Sequence, residues 1–115
     1  MRFLSIYSHP ETGVPPTQQQ METMGKFIEE SMKTGELIAT EGCLPSAKGA
    51  RVRLDAGKVS VVDGPFTEAK EIVGGFALLN AKSKADAVDM AKRFLKVVGG
   101  GTCELRELYE APASS

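Results

Sequence analysis

Six ionisable side chains sit where they could act on a small molecule, and four of them fall within nine residues. Asp63, Glu68, Lys70 and Glu71 belong to the stretch Asp63-Gly64-Pro65-Phe66-Thr67-Glu68-Ala69-Lys70-Glu71, between two β-branched, apolar runs. A connection joining paired strands is ordinarily about two to five residues long and blander than this. Two readings fit these residue types. In one, Asp63 caps a turn by accepting backbone N–H bonds, Gly64 and Pro65 shape the backbone, and Phe66 plugs a local apolar hole. In the other, the loop edges a cleft, with Asp63 as a carboxylate base or ligand contact, Lys70 as an anion anchor and Phe66 beside the ligand.

The remaining two are Glu41 and His9. Glu41 falls in an otherwise uncharged run, Leu37-Ile38-Ala39-Thr40-Glu41-Gly42-Cys43-Leu44, and by simple alternation shares a face with Leu37, Ala39 and Cys43. A carboxylate there is paired (Arg53, Arg51 and Lys48 are the available cations), exposed, or raised in pKa beside a second carboxylate. His9 is the one histidine, and imidazole is the side chain that titrates near neutrality unperturbed. It ends the first apolar run, a place that suits a hydrogen-bonded structural histidine as well as a base. The candidate catalytic set is therefore Asp63, His9 and Glu41. The candidate ligand contacts are Arg53, Phe66, Lys70 and Gly75. Gly74-Gly75 inside an apolar run marks a bulge, a pocket floor or close packing against another backbone.

Other chemistries lack their residues. No Ser-His-Asp set, phosphate-binding glycine loop or zinc-ligand spacing occurs, so neither a metal nor a cofactor is expected. Cys43 and Cys103 stand sixty residues apart and are expected to be buried free thiols in a reducing cytoplasm. The formal net charge of −1 argues against a nucleic-acid partner, and no apolar run approaches the ~20 residues that span a bilayer.

At 115 residues the chain is read as one domain over 1–110, with a frayed tail at 111–115. Thr17-Gln18-Gln19-Gln20 forms a capping box that opens a helix ending at Gly35, with Met21, Met24, Phe27, Ile28 and Met32 as its apolar stripe. Ser83 opens a second helix, with a stripe of Val88, Ala91, Leu95 and Val98 and Asp89–Arg93 paired on the other side, stopped by Gly99-Gly100-Gly101. Strands are expected at 2–8, 37–43, 51–55, 58–62, 72–80 and 102–109, with Asp55-Ala56-Gly57 turning a hairpin between the third and fourth. That order predicts an α+β fold: a ferredoxin-like split βαβ with an inserted hairpin, its antiparallel sheet carrying both helices on one face.

The strands are apolar on both parities. Leu4 and Ile6 oppose Phe3 and Tyr7, and Val73, Ala77 and Leu79 oppose Phe76 and Leu78. Two helices cover one sheet face, so a homodimer packed sheet against sheet is expected to cover the other.

Asp63-Gly64-Pro65-Phe66 followed by Glu68-Ala69-Lys70-Glu71 and Gly74-Gly75-Phe76 closely resembles the DGPF branch of the YCII-related proteins. The upstream run Glu41-Gly42-Cys43-Leu44-Pro45-Ser46-Ala47-Lys48-Gly49-Ala50-Arg51-Val52-Arg53 is similar to that branch as well. The resemblance spans about residues 1 to 110 and implies a dimeric α+β barrel without implying one activity. Some members of the wider family carry a His–Asp pair whose histidine lies on the first helix; here that helix has none, leaving His9 with Asp63 as the substitute. The branch also places an aromatic where this chain has Ala77. Two functions follow as expectations: binding of a small polar or anionic molecule beside the 63–71 loop, with acid–base chemistry, or a non-catalytic accessory role linked to an alternative sigma factor.

Overall fold

Phe3 is buried because the strand that carries it alternates. In Arg2–His9 (β1), Phe3 and Ser5 are buried while the residues beside them are half-covered. The computed structural model describes residues 1–110; the 111–115 tail lies outside the described residues. Along the chain follow α1 (Gln18–Lys33), β2 (Leu37–Gly42), a short 3-10 turn (Ser46–Lys48), β3 (Ala50–Asp55), β4 (Lys58–Asp63), β5 (Ile72–Asn80), α2 (Lys84–Val98) and β6 (Thr102–Glu107). Four strands form one sheet in the order β2-β5-β1-β6, every neighbouring pair antiparallel. This is the expected α+β, ferredoxin-like order, with β3 and β4 set apart as a two-stranded hairpin.

Local chemistry starts and stops each helix. Thr17 Oγ1 accepts the Gln20 N–H at 3.1 Å, and Gln20 Oε1 accepts the Thr17 N–H at 2.8 Å. Ser83 caps α2 by accepting the Asp86 N–H at 3.1 Å, while the Asp86 carboxylate takes the Lys82 N–H at 2.9 Å. Gly99 ends α2 in the left-handed region at φ 93°, its N–H on the Leu95 carbonyl.

Both helical stripes differ from expectation. α2 buries Ala87, Met90 and Ala91; of the expected stripe Ala91 is buried, Val88 and Leu95 are half-covered and Val98 is exposed. α1 buries nothing completely: Met24, Phe27 and Ile28 are half-covered, and Met21 and Met32 are exposed. Arg93 pairs with Glu36 at 3.0 Å, joining α2 to the segment before β2, and not with Asp89. The packed core is small, with Phe3, Leu37, Leu79, Ala81, Ala87 and Met90 on the helix side of the sheet.

Two bulges break the simple alternation. One lies in β5 opposite Tyr7 and Ser8 and places Val73 across from Ser8, on the face of Phe76 and Leu78, correcting the expected grouping with Ala77 and Leu79. The other, between Leu37 and Ala39, sends Leu37 to the core and sets Glu41 opposite Phe76. Glu41 therefore does not share a face with Leu37. Cys43 is exposed and Cys103 half-buried; both are free, but they are not the two buried thiols expected.

The β3–β4 hairpin turns through Ala56 and Gly57 at φ 50° and 78°, the left-handed pair of a two-residue type I′ turn. Val52 faces Val61 and Leu54 faces Val59 on one side of it, all at least 61% exposed. These strands pack chiefly on each other, and the radius of gyration, 16.3 Å, exceeds the roughly 13 Å usual for this length.

Phe3 is the one large side chain among the described residues that is buried almost completely, so Phe3→Ala should destabilise the fold by about 3–5 kcal/mol. Urea unfolding checks this; a loss below about 1 kcal/mol would show that the core is not centred there.

Candidate functional site

Ser46 organises the site. It lies in the 3-10 turn after β2, where the Lys48 N–H reaches the Pro45 carbonyl and the Gly49 N–H the Ser46 carbonyl, each at 2.9 Å. Its side chain is buried and fully used. The hydroxyl donates to Glu11 Oε1 at 2.6 Å and accepts the Phe66 N–H at 3.1 Å, while the Ser46 N–H donates to Glu11 Oε2 at 2.8 Å. These bonds from Ser46, side chain first, hold the Glu11 carboxyl below the ordinary carboxylate range.

The same turn pins the 63–71 loop. The Gly64 N–H donates to the Gly49 carbonyl at 2.9 Å, and a Cβ on Gly64 would fall 1.7 Å from the Ser46 carbonyl oxygen. That spacing admits glycine alone. Farther on, the Ala69 N–H donates to the Phe66 carbonyl at 3.1 Å.

A cleft of about 560 Å³ opens beside this turn. Ser8 and Val73 line it from the sheet face away from the helices, Cys43 and Lys48 from the segment after β2, and Phe66 and Glu71 from the loop. Arg51 completes it, with its guanidinium 3.9 Å from the centre of the Phe66 ring. Arg51 also pairs with the exposed Glu68, whose carboxyl a backbone hydrogen bond and Arg51 together hold below the usual range. Lys48 has no ion-pair partner among the described residues. The cleft thus presents two cations, one against an aromatic face, and the Glu71 carboxylate.

Asp63 closes β4 opposite Ala50, exposed, with no side-chain hydrogen bond among the described residues. The Phe66 N–H that a turn cap at Asp63 would engage goes to Ser46 Oγ instead. His9 lies on the helix side, stacked on Tyr7 with ring centres 5.3 Å apart and packed over Gly74. Its Nδ1 is 2.8 Å from the Pro10 carbonyl oxygen, which can only accept, so Nδ1–H is the donor of that contact. The Tyr7 hydroxyl donates to the Gly100 carbonyl at 2.9 Å, and burial, then Cys103 and Glu71, push its pKa up.

No hydrogen bond or ion pair joins any two of Asp63, His9 and Glu41 among the described residues. Of the four expected ligand contacts, only Phe66 lines the cleft. Arg53 stands on the hairpin opposite Ser60, Lys70 is exposed outside the cleft lining, and Gly75 lies on the helix side of the sheet. Lys48, Arg51 and Ser46 line the cleft instead, with Glu11 bonded to Ser46. The first three were visible as members of one polar run after Pro45; Glu11, thirty-five residues away in sequence from Ser46, carried no signal.

A model of the YCII-related domain matches residues 1–111. An uncharacterized protein of Rhizobium meliloti (strain 1021) is similar to this chain at 31% identity over 75 residues, 65% of this chain and 60% of that protein. The matched part thus spans less than two thirds of that relative's length.

Ser46→Ala should destabilise the protein by about 1–3 kcal/mol, since it leaves the Phe66 N–H without its acceptor. The Glu11 contribution has a definite pH sign. A carboxyl lowered in the folded state stabilises fully above its ordinary pKa and loses that effect as pH falls through the lowered value. The stability gap between the parent protein and Glu11→Gln should therefore be widest near neutrality and narrow in acid, as chemical unfolding at several pH values would read. A gap that widens in acid would overturn the assignment.

Proposed function

The chain belongs to the YCII-related domain family, and from that premise we propose that it binds a small anionic molecule in the cleft beside the 63–71 loop. The observation that carries the proposal is Arg51 laid against the Phe66 ring with Lys48 beside the same opening. A guanidinium supplies a planar fork that matches a carboxylate or phosphate, and a lysine adds a point charge. Arg51 is available for this role because its existing partner, Glu68, is exposed, and an exposed ion pair is worth only about 0–1 kcal/mol. An incoming anion can replace Glu68 at little cost. Stacking of Arg51 on Phe66, whose N–H is tied to Ser46, holds the fork in place before a ligand arrives.

The test is calorimetric titration with small carboxylates and phosphate monoesters. For an anion that binds, Lys48→Met and Arg51→Met should each weaken affinity by about tenfold or more, the usual scale for a hydrogen bond to a charged group. Arg53→Met, on the hairpin, should change nothing. An anion insensitive to both cleft substitutions would refute the proposal.

In the same reading the working unit is a homodimer. Leu4, Ile6, Val73, Phe76 and Leu78 share the sheet face away from the helices, and Phe76 and Val73 are 40% and 51% exposed. An apolar face of this kind, beside a small core, favours a second copy as its cover. Val73 and Ser8 also line the cleft, so the partner would lie along its edge. Sedimentation at micromolar concentration should give about twice the 12.3 kDa chain mass, and Phe76→Glu should return a folded monomer. A monomeric parent protein would overturn the dimer.

A further inference from the structure

On the opposite side of the sheet, between it and the helices, lies a second cavity of about 260 Å³. Met24, Phe27 and Ile28 of α1 and Ala91 and Phe94 of α2 wall it over a floor that includes Ala77. Ala77 is small and Gly75 beside it carries no side chain, so the floor is low. α1 closes the top without burying any of its own residues completely.

Three hydroxyls of this cavity donate to backbone carbonyls. Ser31 Oγ donates to the Phe27 carbonyl at 2.7 Å, Thr40 Oγ1 to the Phe76 carbonyl at 2.8 Å, and the Tyr7 hydroxyl to the Gly100 carbonyl at 2.9 Å. Arg93, the cation of the lining, is held by Glu36 at 3.0 Å. An anion would meet two carboxylates of the lining, Glu36 and Glu41, against one cation, Arg93, that already pairs with Glu36. Apolar side chains and this excess of carboxylates instead suit an uncharged apolar guest. An apolar cavity of about 150 Å³ suffices to hold benzene.

We infer that this cavity is a second binding site, independent of the anion cleft, which takes one small uncharged apolar molecule the size of a substituted monocyclic ring. The methionines supply a reporter within the intact protein. Met24 and Met90 line the cavity, whereas Met21 and Met32 are exposed elsewhere on α1. With methyl-labelled methionine, toluene should shift the Met24 and Met90 resonances in a saturable way and leave Met21 and Met32 in place. Benzoate, the same ring with a carboxylate, should leave Met24 and Met90 unmoved. Ala77→Leu, which fills the floor, should abolish the toluene shifts, while Arg51→Met in the other cleft should preserve them. The inference is overturned if toluene moves no cavity methionine saturably, if benzoate moves them as strongly, or if a folded Ala77→Leu protein still responds. Should Ala77→Leu not fold, the contrast between toluene and benzoate on the parent protein decides the matter alone.

Discussion

The hairpin and the 63–71 loop are tied to the rest of the molecule through one buried side chain, Ser46. Its hydroxyl and N–H meet the Glu11 carboxylate from the loop after β1, and the same hydroxyl receives the Phe66 N–H. The packing of β3 and β4 is chiefly mutual, so packing against the sheet does little to position them. Hydrogen bonds take over that task. A buried hydroxyl serving as donor and acceptor at once leaves little freedom to its partners, because moving either leaves a polar group unsatisfied. The position of Phe66, and with it the surface on which Arg51 rests, follows from that constraint.

The sheet obeys a different constraint. Its helix side is filled by few and mostly small residues, and α1 contributes only half-covered ones. Its other side carries Leu4, Ile6, Val73, Phe76 and Leu78, flanked by Glu41 on β2 and by Glu104 and Arg106 on β6. The bulge in β5 matters here because it transfers Val73 to that open face and thereby extends the apolar surface to the mouth of the cleft. Gly74 and Gly75 make the bulge possible at close quarters. A Cβ on the first would come within 2.6 Å of the His9 ring, and one on the second within 2.6 Å of the Glu41 carbonyl oxygen. The His9 ring thus fills the space that Gly74 leaves.

The amino-acid sequence by itself determined the elements, their order and the fold. The Thr17–Gln20 box, the Ser83 cap, the Ala56-Gly57 turn and the glycines at 99–101 are local devices, set by hydrogen bonds and backbone angles within a few residues. It also marked the 63–71 loop as unusual and Gly74-Gly75 as a bulge candidate. What it could not determine was which side chains meet. Counting by twos across β2 and β5 fails once a bulge inserts a residue, which is why Glu41 was grouped with Leu37, and Val73 with Ala77 and Leu79, although they face opposite sides. Only the tertiary structure decided that Glu11 reaches Ser46, that Phe66 stands under Arg51, and that Asp63, His9 and Glu41 occupy separate places. Each of those outcomes depends on contacts between segments distant in the chain, and no periodicity or spacing within one segment encodes them.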